Sequence, residues 1–316
     1  MSPPLAIVLF GVGLGLVWYA AEALVEYTVG VASGIGLSAF LISVVFIGFD
    51  PENLFVGVAG SVEQSAGIAL GAIIGAAMVA VALAFGATAL VVPLRFEAVP
   101  RRILAVPPLA AALFGGLALD GRLGRVDGAV LMVGHVAAVA VLAHQARTGA
   151  DVTPVDRVEG MLADELQDWG RAAAVGGFVL SLVGIAVGSE LLVRSASTLI
   201  GTLGLSDTTV GMSVLALLVS VEEVARQLPA ALRGRPDISL GNVVGSVLAF
   251  FLFNAGIIAL VRPVPVGPET LTFYLPVAMV TILGVSLLLL RRRVTRWGGA
   301  ALVGAYLLFA VGGYLL

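Results

Sequence analysis

The sequence predicts an all-α polytopic membrane protein: ten transmembrane helices forming two five-helix repeats of inverted topology (5+5). Three observations predict it. The composition is 59% hydrophobic and 12% charged, with mean hydropathy +1.09, more apolar surface than a soluble chain of this length can cover. Ten apolar runs are long enough, or nearly so, to span a hydrocarbon core of ~30 Å. Segments of the first half recur in the second at a near-constant offset.

Composition also narrows the chemistry. Forty glycines suit closely packed membrane helices, whose backbones approach through small residues. With no cysteine, disulfides and thiolate metal sites are excluded. The net charge of −3 argues against a nucleic-acid partner. All seventeen basic residues are arginine, a bias without mechanistic content. The segment MSPPLAIVLFGVGLG lacks the positive charge that precedes a signal peptide's apolar core, so it is expected to be a retained first span.

The runs lie near 4–31, 36–60, 66–92, 103–119, 127–146, 171–202, 207–231, 238–261, 270–290 and 297–315. The fourth is short and is interrupted by Pro107 and Pro108. Residues 147–170, with Asp151, Asp156, Glu159, Asp164, Glu165 and Asp168, form an acidic connector. It divides the chain into a first five-helix repeat (1–146) and a second (171–316). If the amino terminus lies outside, twelve arginines fall in inside loops (Arg95, Arg101, Arg102, Arg147, Arg157, Arg171, Arg233, Arg235, Arg291, Arg292, Arg293 and Arg296). Outside loops then hold three, Arg122, Arg125 and Arg262. That bias places both termini outside a cell membrane and the connector in the cytoplasm. Arg291–Arg293 read as a topology anchor at anionic head groups.

The halves repeat. Glu22-Ala-Leu-Val and Glu190-Leu-Leu-Val each stand fourteen residues before a Gly-Leu-Ser, at Gly36 and Gly204. GIALGAIIG (Gly67 to Gly75) aligns without a gap on DISLGNVVG (Asp237 to Gly245). Because each half has an odd number of spans, the second enters the membrane from the opposite face. That is the construction of alternating-access transporters with a midplane site.

Ionisable groups at membrane depth cost at least ~2.5 kcal/mol each, so they mark ion or substrate paths. Gly204 to Asn254 concentrates them. Glu222 and Glu223 are adjacent, Arg226 follows one turn later, and Asn242, Ser246 and Asn254 form a polar line in the next run. In the first half, Asp50, Pro51 and Glu52 interrupt an apolar run, and proline there frees backbone carbonyls.

The runs GLSDTTVGMSVLALLVSVEE and DISLGNVVGS resemble the second alpha repeat of the calcium/cation antiporter superfamily, the sodium/calcium exchangers and their relatives. FDPEN (Phe49–Asn53) followed by GIALGAIIG resembles the first. The resemblance covers both halves and implies a secondary cation antiporter, not an enzyme. It would move Ca2+ or another cation against Na+ or H+ by alternating access, with no covalent cofactor; its partners are inorganic cations and the lipid bilayer. It implies a cation site built on Glu52 and Glu223, with Ser220 and Ser246 as hydroxyl ligands. It also implies a core of spans 2, 3, 7 and 8, with spans 1 and 6 packed obliquely outside it and sliding past it. Departures are several: Val219 stands for a threonine, Glu222 for a proline, and Gly48 and Phe49 for hydroxyls. Ala72, Ala76 and Ala80 stand where polar groups are expected, and Phe250 where an acid or amide is.

Several assignments stay open. An ungapped register pairs Glu222 with Glu52, whereas the spacing of the resemblance pairs Glu223 with it. Asp50, Glu222 and Asn254 join the candidate ligands, Asn254 as a substitute for the ligand missing at Phe250. Glu222 and Arg226 have the spacing of a helix-internal ion pair, as do Glu190 and Arg194. Alternatively, Arg226 occupies the cation site of a non-transporting scaffold or sensor, or the carrier is proton-coupled with altered selectivity. Glu22 and Glu26 are weak candidates for an access path. Asn242 and Asn254 also read as helix–helix glue. His135 and His144 have no zinc-site spacing.

Overall fold

The computed structural model describes residues 2–33, 50–96, 101–147, 171–220, 222–232, 234 and 236–315. The acidic connector lies outside them. So do the side chains of Glu22, Glu26, Glu222 and Arg226.

The helices are α1 (Pro3–Ser33), α2 (Pro51–Val62), α3 (Ala66–Val91), α4 (Arg101–Ala118), α5 (Arg125–Arg147) and α6 (Arg171–Leu203). They continue as α7 (Asp207–Val219), α8 (Glu222–Leu232), α9 (236–261), α10 (Thr270–Leu290) and α11 (Arg296–Gly312). Among the described residues, six are long and apolar enough to cross a membrane: Pro3–Ala21, Ala66–Val91, Arg125–Leu142, Val175–Leu203, Ser239–Val261 and Thr270–Leu290. Arg102–Ala118, Asp207–Val219 and Arg296–Gly312 are shorter apolar helices. The fourth run is helical despite Pro107 and Pro108. The seventh run is split: α7 stops at Val219, Ser220 bends, and α8 starts at Glu222.

Burial sorts the helices into layers. The α3 span is 94% buried and the α9 span 78%, against 28% for α1 and α6 and 11% for α5. The polypeptide therefore wraps α3 and α9, while α1, α5 and α6 present Ile7, Tyr19, Val133, Val136, Leu180 and Val183 outward. Apolar surface of that extent needs a bilayer to cover it. Helices α1 and α6 pack along each other, with Gly13 against the Gly188 carbonyl. The pair meets the remainder through α2 and through Trp18, whose Nε1 donates to the Leu218 carbonyl (3.1 Å).

Contacts come in twins about 170 positions apart. Strand β1 (Leu94–Arg95) pairs antiparallel with β4 (Arg293–Val294), and β2 (Arg122–Leu123) with β3 (Val264–Pro265). The first partner of one pair is displaced by that interval from the second partner of the other. Gly86 meets the Gly299 carbonyl where α3 crosses α11, and Gly256 meets the Gly128 carbonyl where α9 crosses α5. Arg296 Nη2 donates to the Val91 carbonyl (3.5 Å) and Arg125 Nε to the Leu260 carbonyl (3.2 Å). One-turn π-helical segments recur at Val79–Ala84 and Ala249–Asn254. Such segments often mark functional sites within helices.

Candidate cation site

Two helix starts organise the polar interior. Pro51 opens α2 at a position where its missing N–H costs nothing. Asp50 precedes it and Glu52 and Asn53 follow, all buried. In the second half the chain breaks at Ser220, whose φ of −106° and ψ of 16° leave the helical range. Its amide still donates to the Ala216 carbonyl (3.0 Å), and its own carbonyl accepts the Glu223 N–H (3.1 Å). Helix α8 then starts with Glu222 and Glu223. Each half thus sets a carboxylate in the first turn of a helix, where the positive end of the helix dipole stabilises it.

The halves touch through these starts. Asn53 Nδ2 donates to Asp50 Oδ2 (3.0 Å) and to Ser220 Oγ (2.9 Å). Glu223 turns toward α9: its Oε2 accepts from Asn242 Nδ2 (2.5 Å) and its Oε1 from Ser246 Oγ (3.4 Å). Glu52 and Glu223 are each 1% exposed, so both face the protein interior and neither faces lipid. Among the described residues no three Asp, Glu or His side chains form a metal-holding group. Carboxylate, amide and hydroxyl groups nevertheless meet here, with Asn53 between Asp50 and Ser220 and with Asn242 and Ser246 on Glu223.

The remaining candidates fall apart from this cluster or beside it. Asn254 is fully buried at the end of the second π-helical segment, and neither of its side-chain atoms has a hydrogen-bond partner among the described residues. Phe250, one turn earlier, is also fully buried. Arg194 pairs with Glu190 (2.7 Å), as the helical spacing predicts, but also with Glu63 just after α2 (3.0 Å). All three are partly exposed and belong to the α2–α6 contact. His135 packs on the Phe253 ring, 5.2 Å between centroids.

Sequence reasoning missed two residues. Asn53, the bridge between the halves, entered only as the last residue of the FDPEN motif. Gln227, fully buried one turn beyond Glu223, donates from Nε2 to the Ala80 carbonyl (3.1 Å). Its spacing of four from Glu223 inside an apolar run was the available signal.

Sequence comparison agrees with this architecture. The sequence profile described as "Sodium/calcium exchanger protein" matches residues 5–143 and 173–314. The chain belongs to the sodium/calcium exchanger family. Among family relatives, it is 29% identical over 271 residues to the inner membrane protein YrbG of Escherichia coli, covering 84% of this chain and 82% of that one. It is 26% identical over 339 residues to the sodium/calcium exchanger MaX1 of Methanosarcina acetivorans, covering 94% and 96%. In structure it is similar to the sodium-calcium exchanger NCX_Mj, with TM-score 0.62, 22% identity and 96% of each chain covered. At that identity the likeness speaks to the fold alone.

Proposed function

We propose that this protein is a secondary cation antiporter, not an enzyme, which moves Ca2+ or another cation against Na+ or H+ by alternating access. Ten spans form two inverted five-helix repeats, and the cation binds where the repeats meet. Glu52 and Glu223 are the principal ligands. Ser220, Ser246, Asp50, Glu222 and Asn254 supply further oxygens to one or another state of the site.

One observation carries the reading: the Asn53–Ser220 hydrogen bond joins two buried, carboxylate-bearing helix starts from opposite halves of the chain. Acids at that depth are costly unless function retains them, and helix starts at mid-membrane are where inverted-repeat carriers place their sites. The twinned contacts support the repeat architecture. Arg95 and Arg293 share one strand pair, whereas Arg122 lies in the other and Arg262 stands beside it. That segregation supports external termini and a cytoplasmic connector. A coupling proton competes for the same carboxylate oxygens as a coupling sodium ion.

The test is flux into proteoliposomes. An imposed Na+ or H+ gradient should drive Ca2+ uptake, and Glu52→Gln or Glu223→Gln should abolish it. Absence of gradient-driven uptake for every cation tried would overturn the proposal.

A further inference from the structure

Gln227 is buried completely, yet its Oε1 has no hydrogen-bond partner among the described residues. Its other polar atoms are engaged. Nε2 donates to the Ala80 carbonyl (3.1 Å), and the backbone carbonyl accepts from Ser239 Oγ (3.2 Å). Ala80 does not need that donor, because its carbonyl already accepts the Phe85 N–H within the π-helical segment. The Gln227–Ala80 bond therefore orients the amide more than it satisfies the backbone. With Nε2 fixed on Ala80, Oε1 must point elsewhere, as a bare carbonyl oxygen inside the protein. A leucine of similar size would fill the same space without burying an unpaired acceptor.

The surroundings say what such an oxygen serves. Positions four apart on a helix share a face, so Gln227 stands one turn from Glu223 on the same side of α8. Across from it runs α3, which is poor in side-chain oxygen. At the 170-residue interval of the strand pairs, Asn242, Ser246 and Asn254 of α9 correspond to Ala72, Ala76 and Ala84 of α3. The only side-chain oxygen on α3 is that of Thr88, near its end.

We infer that Gln227 is a cation ligand and selectivity determinant, its neutral amide oxygen replacing from α8 the donor that α3 lacks. The inference rests on the antiport reading and deepens it. A neutral carbonyl suits hard cations of either charge, and a carboxylate there would favour the divalent one.

Isothermal titration of purified protein with CaCl2 and with NaCl tests it, using wild type, Gln227→Leu and Gln227→Glu, with thermal unfolding of each ion-free protein alongside. A ligand role predicts that Gln227→Leu weakens Ca2+ binding at least tenfold. Gln227→Glu, which cannot donate to Ala80 when ionised, should still bind Ca2+ and shift the Ca2+ to Na+ affinity ratio at least tenfold toward Ca2+. A purely structural tie predicts instead that both variants unfold at lower temperature and leave the ratio unchanged, which overturns the inference. Wild-type affinities in Gln227→Leu overturn it as well. If Gln227→Leu does not fold, the ratio in Gln227→Glu decides alone. Failure of the wild type to bind any cation removes the antiport reading and this inference together, whereas wild-type binding indifferent to Gln227 removes only the inference.

Discussion

The second-half helix pair, α8 with α9, and its first-half counterpart, α2 with α3, solve the same problem differently. In the second half, Glu223 is held by side chains, with Asn242 and Ser246 donating to its two oxygens. In the first, Asp50 precedes α2, which carries Glu52 and Asn53 against a helix rich in alanine and glycine, and Asn53 reaches across to Ser220. Of the two buried helices, α9 bears the side-chain oxygens of Asn242, Ser246 and Asn254, and α3 the closely packed alanines and glycines. The two helices thus differ in side-chain chemistry while making twinned backbone contacts.

The largest expected effects break the comparison at its carboxylates, where Glu223→Gln and Glu52→Gln should each reduce transport to background in the proteoliposome assay. Next comes packing. Gly71 lies against the backbone of Gly211, whereas its counterpart Gly241 has open space where a Cβ would stand. Gly71→Ala should cost about 1–3 kcal/mol by overpacking, and Gly241→Ala should be neutral or slightly stabilising, by up to about 1 kcal/mol of helix propensity. Thermal unfolding in detergent reads both. Equal losses would mean that the halves pack alike after all.

Smaller effects sharpen the ligand asymmetry. Ser246→Ala removes one donor to Glu223 and should weaken cation affinity about tenfold, the equivalent of about 1.4 kcal/mol for a hydrogen bond to a charged group. The reciprocal Ala76→Ser should change affinity by less than about threefold, since a hydroxyl on a helix can turn back to its own backbone. Titration calorimetry compares the two. Smallest of all is Arg194→Ala. Its ion pairs with Glu63 and Glu190 are partly exposed and screened by solvent, so the unfolding temperature should fall only slightly, and by less still in high salt.

Much of this was legible beforehand, for reasons visible in particular residues. Glu52 and Glu223 stand out because carboxylates are rare in such apolar runs, and the structure buries both. The Glu190–Arg194 pair followed from helical spacing, but Glu63 did not, being 131 residues away and brought in only by folding. The break at Ser220 has no proline or glycine to announce it. The two-residue strands are too short for any periodicity to reveal. Gln227 carries no charge, so beside Glu222 and Glu223 it breaks the apolar pattern only weakly. Its meaning depends on the Ala80 carbonyl, 147 residues away. Local signals were readable wherever a charge broke an apolar pattern; neutral groups joined across the two halves were not.

The central claim is that one cation is shared by carboxylates from both halves, and a double-mutant cycle on Ca2+ binding tests it most directly. Calorimetry on wild type, Glu52→Gln, Glu223→Gln and the double variant should find a single binding event that either substitution weakens and whose losses are strongly non-additive. Two independent events, one lost with each glutamate, or additive losses across the cycle, would contradict the account.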